Sequence, residues 1–178
     1  MRAARLEQTG FPAAVRLAGF AAFLLLAAMI SWAGASAETS PPILTVFGKI
    51  NAGKFPGGAR FSRDGLFALG PQTLVTETHF TTGAQRFEGV PLSALLDAAE
   101  ASGSTLTATA LDGYSIDLPV KDARRFGVFL AMTWNGETMK VRNKGPIWII
   151  YPISRHPELN TEKYSARSIW QLKTLTVK

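Results

Sequence analysis

Hydrophobic and polar positions divide the chain into one long apolar run and a series of short alternating segments. The run extends from Leu17 to Ile30 and is built mostly from Ala, Leu and Phe. Beyond it, Ile43 to Ile50 alternates loosely and is rich in β-branched residues, which predicts a strand. Asn51 to Gly58 holds three glycines and one proline, the composition of a loop. Gly65 to Gln72 reads as a turn region with room for one short helix. Leu74 to Phe80 predicts a strand and Gln85 to Glu88 a second, shorter one. The clearest helix opens at Gly89-Val90-Pro91-Leu92, because proline suits a first turn whose N–H needs no partner. Leu92, Leu95, Leu96 and Ala99 then share one helical face, and Gly103 stops the helix.

The second half continues in short pieces. Thr105 to Leu111 and Tyr114 to Leu118 predict two strands joined by the turn pair Asp112-Gly113. Val120 to Phe126 predicts a short basic helix. Val128 to Trp134 is a strand that ends at the turn Asn135-Gly136. Pro146 to Tyr151 is apolar throughout and predicts a buried strand, and Ser168 to Val177 closes the domain as a last one. Many short strands, few helices and frequent turns predict an α+β domain with a β-sandwich or barrel core.

The start of the chain changes the picture of where this domain works. Arg2, Arg5 and Arg16 precede the apolar run, and the run ends in small residues that include Ala35 and Ala37. That is the layout of a secretory signal peptide cleaved after Ala37, with an uncleaved membrane anchor as the alternative. The expected division is therefore a signal peptide over residues 1–37 and a single domain over 38–178. No arginine pair precedes the run, so export of the unfolded chain to the periplasm or medium through the Sec route is expected. Of the 19 basic and 13 acidic residues, three arginines and one glutamate lie in the leader. The remaining 16 and 12 leave a mild net charge of +4. Lys121, Arg124, Arg125, Lys140, Arg142 and Lys144 cluster in sequence, as a solvated face or as a site for an anion. No basic aromatic motif for nucleic acid is present.

The chain has no cysteine, so thiol nucleophiles and thiolate metal ligands are excluded. Phosphate-binding glycine loops and the Gly-x-Ser-x-Gly elbow are absent as well. The two histidines are His79 and His156. Glu77 and His79, two apart on the predicted strand, would face one side together. A third metal ligand is not visible, so no metal site is expected there. His156 sits in a polar loop, as an exposed turn residue or a donor at a pocket rim.

Four segments carry a family resemblance. Gly89-Val90-Pro91-Leu92-Ser93-Ala94-Leu95-Leu96, Asp112-Gly113-Tyr114, Lys144-Gly145-Pro146-Ile147-Trp148-Ile149-Ile150-Tyr151-Pro152 and Ala166-Arg167-Ser168-Ile169-Trp170-Gln171-Leu172 occur in that order. Together they resemble the molybdopterin-binding oxidoreductase domain, the sulfite-oxidase-type fold, in its small exported branch. The resemblance implies a mixed β-sheet or barrel core with few short helices. It also implies a cofactor site where the segment before the helix meets the Asp112 hairpin and the Pro146 strand. Carried over by motif, the pocket candidates are Thr78, His79, Asp112, Tyr114, Tyr151, His156 and Arg167, with Arg142 and Lys144 at the mouth.

In that family a cysteine shortly before the helix holds molybdenum. The corresponding stretch here, Val75 to Phe80, offers no thiolate, and a threonine hydroxyl is a poor substitute. No catalytic residue, metal or cofactor is therefore expected, and molybdopterin is implied by the resemblance alone. The expected function is that of an exported small-ligand-binding or sensory-accessory protein. A small anionic ligand and a membrane sensor or enzyme partner are the candidate contacts. The alternatives are a molybdopterin-dependent oxidoreductase with a non-cysteine metal ligand, and an interaction module without a site.

Overall fold

The computed structural model describes residues 40–178. The expected signal peptide lies outside the described residues. Ten strands form two sheets. In the first, β1 (Leu44–Gly48) pairs antiparallel with β2 (Ala59–Phe61) and parallel with β10 (Leu172–Val177). β10 pairs with β5 (Thr105–Ala110), and β5 with β6 (Ser115–Pro119), both antiparallel. In the second, β3 (Gln72–Thr76), β4 (Gln85–Pro91) and β7 (Phe129–Trp134) are antiparallel neighbours. The far edge of β7 carries both β8 (Glu137–Thr138) and β9 (Trp148–Ile150). Four short helices complete the domain: α1 (Arg63–Phe67), α2 (Leu92–Ala98), α3 (Val120–Arg125) and α4 (Glu162–Arg167). The two sheets are open rather than closed into a barrel.

Side-chain alternation decides which sheet separates the two parts of the core. Along β5, threonines alternate with buried Leu106, Ala108 and Ala110, the period of a strand covered on one face. β7 and β9 are apolar at nearly every position instead, and they are buried on both faces. Leu130, Met132 and Ile149 turn toward the main cluster, with Val46, Leu106, Leu175 and the α2 residues Leu92 and Leu95. Phe129, Ala131, Trp148 and Ile150 turn the other way, into a second cluster with Leu74, Phe87 and Met139. The second cluster is aromatic: Phe87 meets Trp148 edge-on at 5.6 Å and lies near Trp134 at 6.1 Å.

Three sequence expectations are corrected by local hydrogen bonding. The strand expected over Leu74 to Phe80 is Gln72–Thr76, and the chain leaves the sheet at Glu77. There the Glu77 N–H donates to the Ser154 hydroxyl and the Ser154 N–H donates to that of Thr76. Side-chain oxygens have replaced the next strand partner, so Glu77 and His79 do not share a strand face. The closing strand expected from Ser168 begins at Leu172, because residues 169–172 are held by the second sheet. The Ile149 N–H donates to Ile169 O and the Leu172 N–H to Ile147 O before the chain enters β10. The short helix expected within Gly65 to Gln72 starts earlier, at Arg63, where the Ser62 hydroxyl accepts the Gly65 N–H at 3.0 Å.

The segment before α2 shows why a glycine opens it. A Cβ at Gly89 would lie within bonding range of the Leu130 carbonyl, since β4 shifts register against β7 at Glu88/Gly89. Backbone cannot yield there as a flexible side chain could. Gly89→Ala should therefore lower stability by about 1–3 kcal/mol, read as a reduced urea midpoint with an unchanged slope.

Candidate functional site

The segment after β3 forms a compact turn. Thr78 is buried, its hydroxyl accepts the Phe80 N–H at 3.1 Å and shares a 2.9 Å hydrogen bond with Thr81. This oxygen is thus committed to shaping the loop. His79 is partly exposed, yet its Nε2 is shielded from solvent and finds no partner. Burial pushes its imidazole below the usual histidine range. Phe80 follows and turns its ring toward Trp170, edge-on at 4.9 Å.

Phe80 and Trp170 wall a cleft of about 260 Å³. The β5–β6 turn supplies Ala110, Asp112 and Tyr114, and the end of α4 with the segment after it supplies Ser165, Ala166, Ser168 and Ile169. The turn is rigid for a local reason: Asp112 Oδ1 accepts the Tyr114 N–H at 2.9 Å, and Gly113 takes a positive φ of 91°. Asp112 is the one charged residue of the lining, which is otherwise aromatic, aliphatic and hydroxyl. The cleft lies between the Phe80 loop and the Asp112 hairpin, and no residue of the Pro146 strand is part of its lining.

Lys144, expected at the mouth, is held by aromatic faces. Its Nζ stands 4.1 Å from the Trp170 ring centre, 5.4 Å from Trp148 and 5.5 Å from Phe80, an arrangement of cation–π contacts. Lys144 O also accepts the Gln171 N–H. The lysine therefore fixes two walls of the cleft from behind. Arg142 sits on an adjacent 3-10 turn, Val141–Asn143, exposed and without an ion pair among the described residues.

The remaining candidates build a different site. Tyr151 and Arg167 both donate to Asp122 Oδ2, at 3.1 and 3.0 Å. The carboxylate is 4% exposed and the guanidinium side chain 15%. Tyr164 packs on Tyr151 at 5.2 Å and under the Arg167 guanidinium. Burial, and then the neighbouring Asp122 carboxylate, push the Tyr151 hydroxyl far above the usual tyrosine range. This cluster joins α3, the segment after β9 and α4, and it is structural. His156 lies apart from the cleft, edge-on to Phe126 at 5.5 Å and 3.5 Å from Glu158.

The structure thus brings Asp112 and Tyr114 into one cleft, with Lys144 behind its wall and Thr78 and His79 in the adjoining loop. It gathers Tyr151 and Arg167 around Asp122 and leaves Arg142 and His156 outside. Sequence reasoning missed Asp122, Phe80, Ser165, Ser168 and Trp170 as neighbours of these sites. The signal for Asp122 was its place in a helix otherwise basic. The cleft residues gave no signal beyond their motif.

Comparison with known proteins agrees with this fold. Residues 68–155 match the family model for the oxidoreductase molybdopterin binding domain, the family suggested by the four motifs. The fold is the sulfite-oxidase type. It matches the crystal structure of the sulfane dehydrogenase SoxCD from Paracoccus pantotrophus with a TM-score of 0.55 at 19% identity. That match covers 75% of this chain and 37% of the SoxCD chain, so this chain spans little more than a third of that one. A comparison with curated proteins finds no match.

The residues at the cleft do not fit a thiolate-held molybdenum pterin. The sequence has no cysteine. The Thr78 oxygen is engaged by the loop, and no group of three or more His, Cys, Asp or Glu stands together among the described residues. The lining also offers no cation to a phosphate tail, only the Asp112 carboxylate.

Two measurements probe the Asp122 cluster. Removing one partner of a buried ion pair leaves the other uncompensated, so Arg167→Ala should lower stability by about 3–5 kcal/mol. As the pH rises past about 10, the unfolded chain releases the Tyr151 proton while the folded chain keeps it. Stability must then fall with rising pH. Urea midpoints of the wild type should drop more steeply across that range than those of Tyr151→Phe.

Proposed function

We propose that this oxidoreductase molybdopterin-binding domain serves as an exported small-ligand-binding module and not as a molybdenum oxidoreductase. The observation that carries the reading is the cleft itself. It retains walls from the hairpin, the Phe80 loop and the segment after α4, while the loop that would present a thiolate presents Thr78 with its oxygen already bonded. A volume near 260 Å³ lies just below the usual span of about 300–1,000 Å³ for drug-sized ligand pockets. That favours a compact ligand. The chemistry of the lining favours a flat, largely apolar body against Phe80, Tyr114 and Trp170, with hydrogen bonding at the Ser165 hydroxyl and acceptance at Ser168, whose own proton goes to Tyr164 O.

A second reading, a molybdopterin enzyme with a non-thiolate metal donor, rests on one observation: the shielded, unpartnered Nε2 of His79 beside Thr78. The depressed basicity of that imidazole is compatible with a ligand role, but a lone nitrogen supplies only one donor.

Metal analysis and binding separate the two. Protein purified from its own host should carry molybdenum far below one equivalent. Phenol-sized aromatic fragments should bind and shift the indole fluorescence, and Tyr114→Ala should weaken that binding about tenfold by removing one aromatic wall. Lys121→Ala should leave it unchanged. Stoichiometric molybdenum that is lost in His79→Ala would instead establish the second reading.

A further inference from the structure

Exposed apolar side chains are not spread evenly over this domain. Six large ones are exposed among the described residues: two of them, Phe80 (38%) and Tyr114 (50%), line the cleft, and two more, Leu111 (45%) and Val141 (51%), lie in segments bonded to Gln171, the residue after the wall residue Trp170. Phe80 and Tyr114 belong to the cleft wall. Leu111 and Val141 do not line the cleft, so a small molecule inside it would leave them in water. Gln171 links the backbones of these segments. Its side-chain amide donates to Val141 O at 2.8 Å, its carbonyl accepts the Leu111 N–H at 2.9 Å, and its N–H donates to Lys144 O at 3.1 Å. Exposed apolar side chains on segments joined in this way beside a hollow mark a contact site for something larger than a cleft ligand.

The charges beside it select the partner. Val141 is flanked by Lys140 and Arg142, both exposed and neither in an ion pair among the described residues. Lys144 adds a third cation beneath the rim, against Asp112 as the acid of the cleft wall. The shape separates two sources of negative charge. A bilayer takes up protruding apolar tips and is held by basic clusters of about four to eight residues. This surface has a hollow at its centre and fewer cations.

We infer that the cleft rim is a docking surface for an acidic segment of a partner protein, whose apolar side chain enters the cleft between Tyr114 and Trp170 while its carboxylates meet Lys140 and Arg142. Leu111 and Val141 are covered by the backbone and flanks of that segment. The inference rests on the rim residues and does not depend on the small-ligand reading; a small molecule that fills the cleft would compete with the segment's apolar side chain.

The test uses a fluorescein-labelled hexapeptide of aspartates and glutamates around one phenylalanine, titrated with the protein and followed by anisotropy. Binding should weaken at least about tenfold in Val141→Asp and in Arg142→Glu, and should fall as salt rises. Val75→Asp, at an exposed apolar position on β3 outside the surface, should bind as the wild type does. Since Val141 and Arg142 are both exposed, failure of one variant to fold leaves the other to carry the result. The inference is overturned if the peptide does not bind at millimolar protein, or if its phenylalanine-to-alanine version binds equally well. Val141→Asp and Arg142→Glu both binding like the wild type also overturns it. So does flotation with phosphatidylcholine–phosphatidylglycerol vesicles in the absence of peptide binding, which assigns the surface to a membrane.

Discussion

A single buried carboxylate ties together the parts of this domain that surround the cleft. Asp122 projects from α3 into the interior, where an unpaired charge would be costly. Two donors from distant points in the chain meet the same oxygen: the Tyr151 hydroxyl beyond β9 and the Arg167 guanidinium at the end of α4. α4 has no buried residue of its own and no side-chain cap. Its position depends on this pair and on the Tyr164 ring, which packs on Tyr151 and Phe126. Ser165 and Ala166 follow from that placement, while Ser168 and Ile169 are held by β9, through the Trp148 indole N–H to Ser168 O and the Ile149 N–H to Ile169 O; together with Trp170 they form one side of the cleft. A charge that contributes nothing to the lining therefore helps to place the α4 residues that do.

The other side is organised by local hydrogen bonds. The turn after β3 is closed by hydroxyls of Thr76, Thr78, Thr81 and Ser154, and the β5–β6 turn by Asp112. The Thr78 oxygen has a structural role: it accepts a backbone N–H and pairs with a neighbouring hydroxyl. No unpaired polar group is left at that residue. The neighbouring His79 nitrogen is where satisfaction fails.

Much of the architecture was legible in the sequence because the strands obey simple periods. Alternating threonine and alanine in β5, the unbroken apolar character of β9 and the Leu92–Leu95–Leu96 face of α2 each predict their burial. The ends of β3 and β10 were not legible, because they are decided by partners far along the chain: Ser154 captures residue 77, and β9 captures residues 169–172. Of the candidate site, Asp112 and Tyr114 were visible through the hairpin motif. Arg167 was visible through its motif, but its partner Asp122 was marked only by its place in an otherwise basic helix, and nothing in the chain says that this carboxylate turns inward. The aromatic contacts among Phe80, Trp148 and Trp170 join three separate segments, and no spacing in the chain announces them.

The seat that Lys144 occupies has one further effect. Three aromatic faces converging on a point form the kind of receptor that elsewhere captures methylated ammonium groups. Here the receptor is filled from within, by an ammonium tethered to the same backbone that carries the rings. Such tethering gives the lysine an effective concentration on the order of millimolar, which a dilute dissolved competitor does not reach. Choline-like molecules are accordingly shut out of a surface that would otherwise attract them.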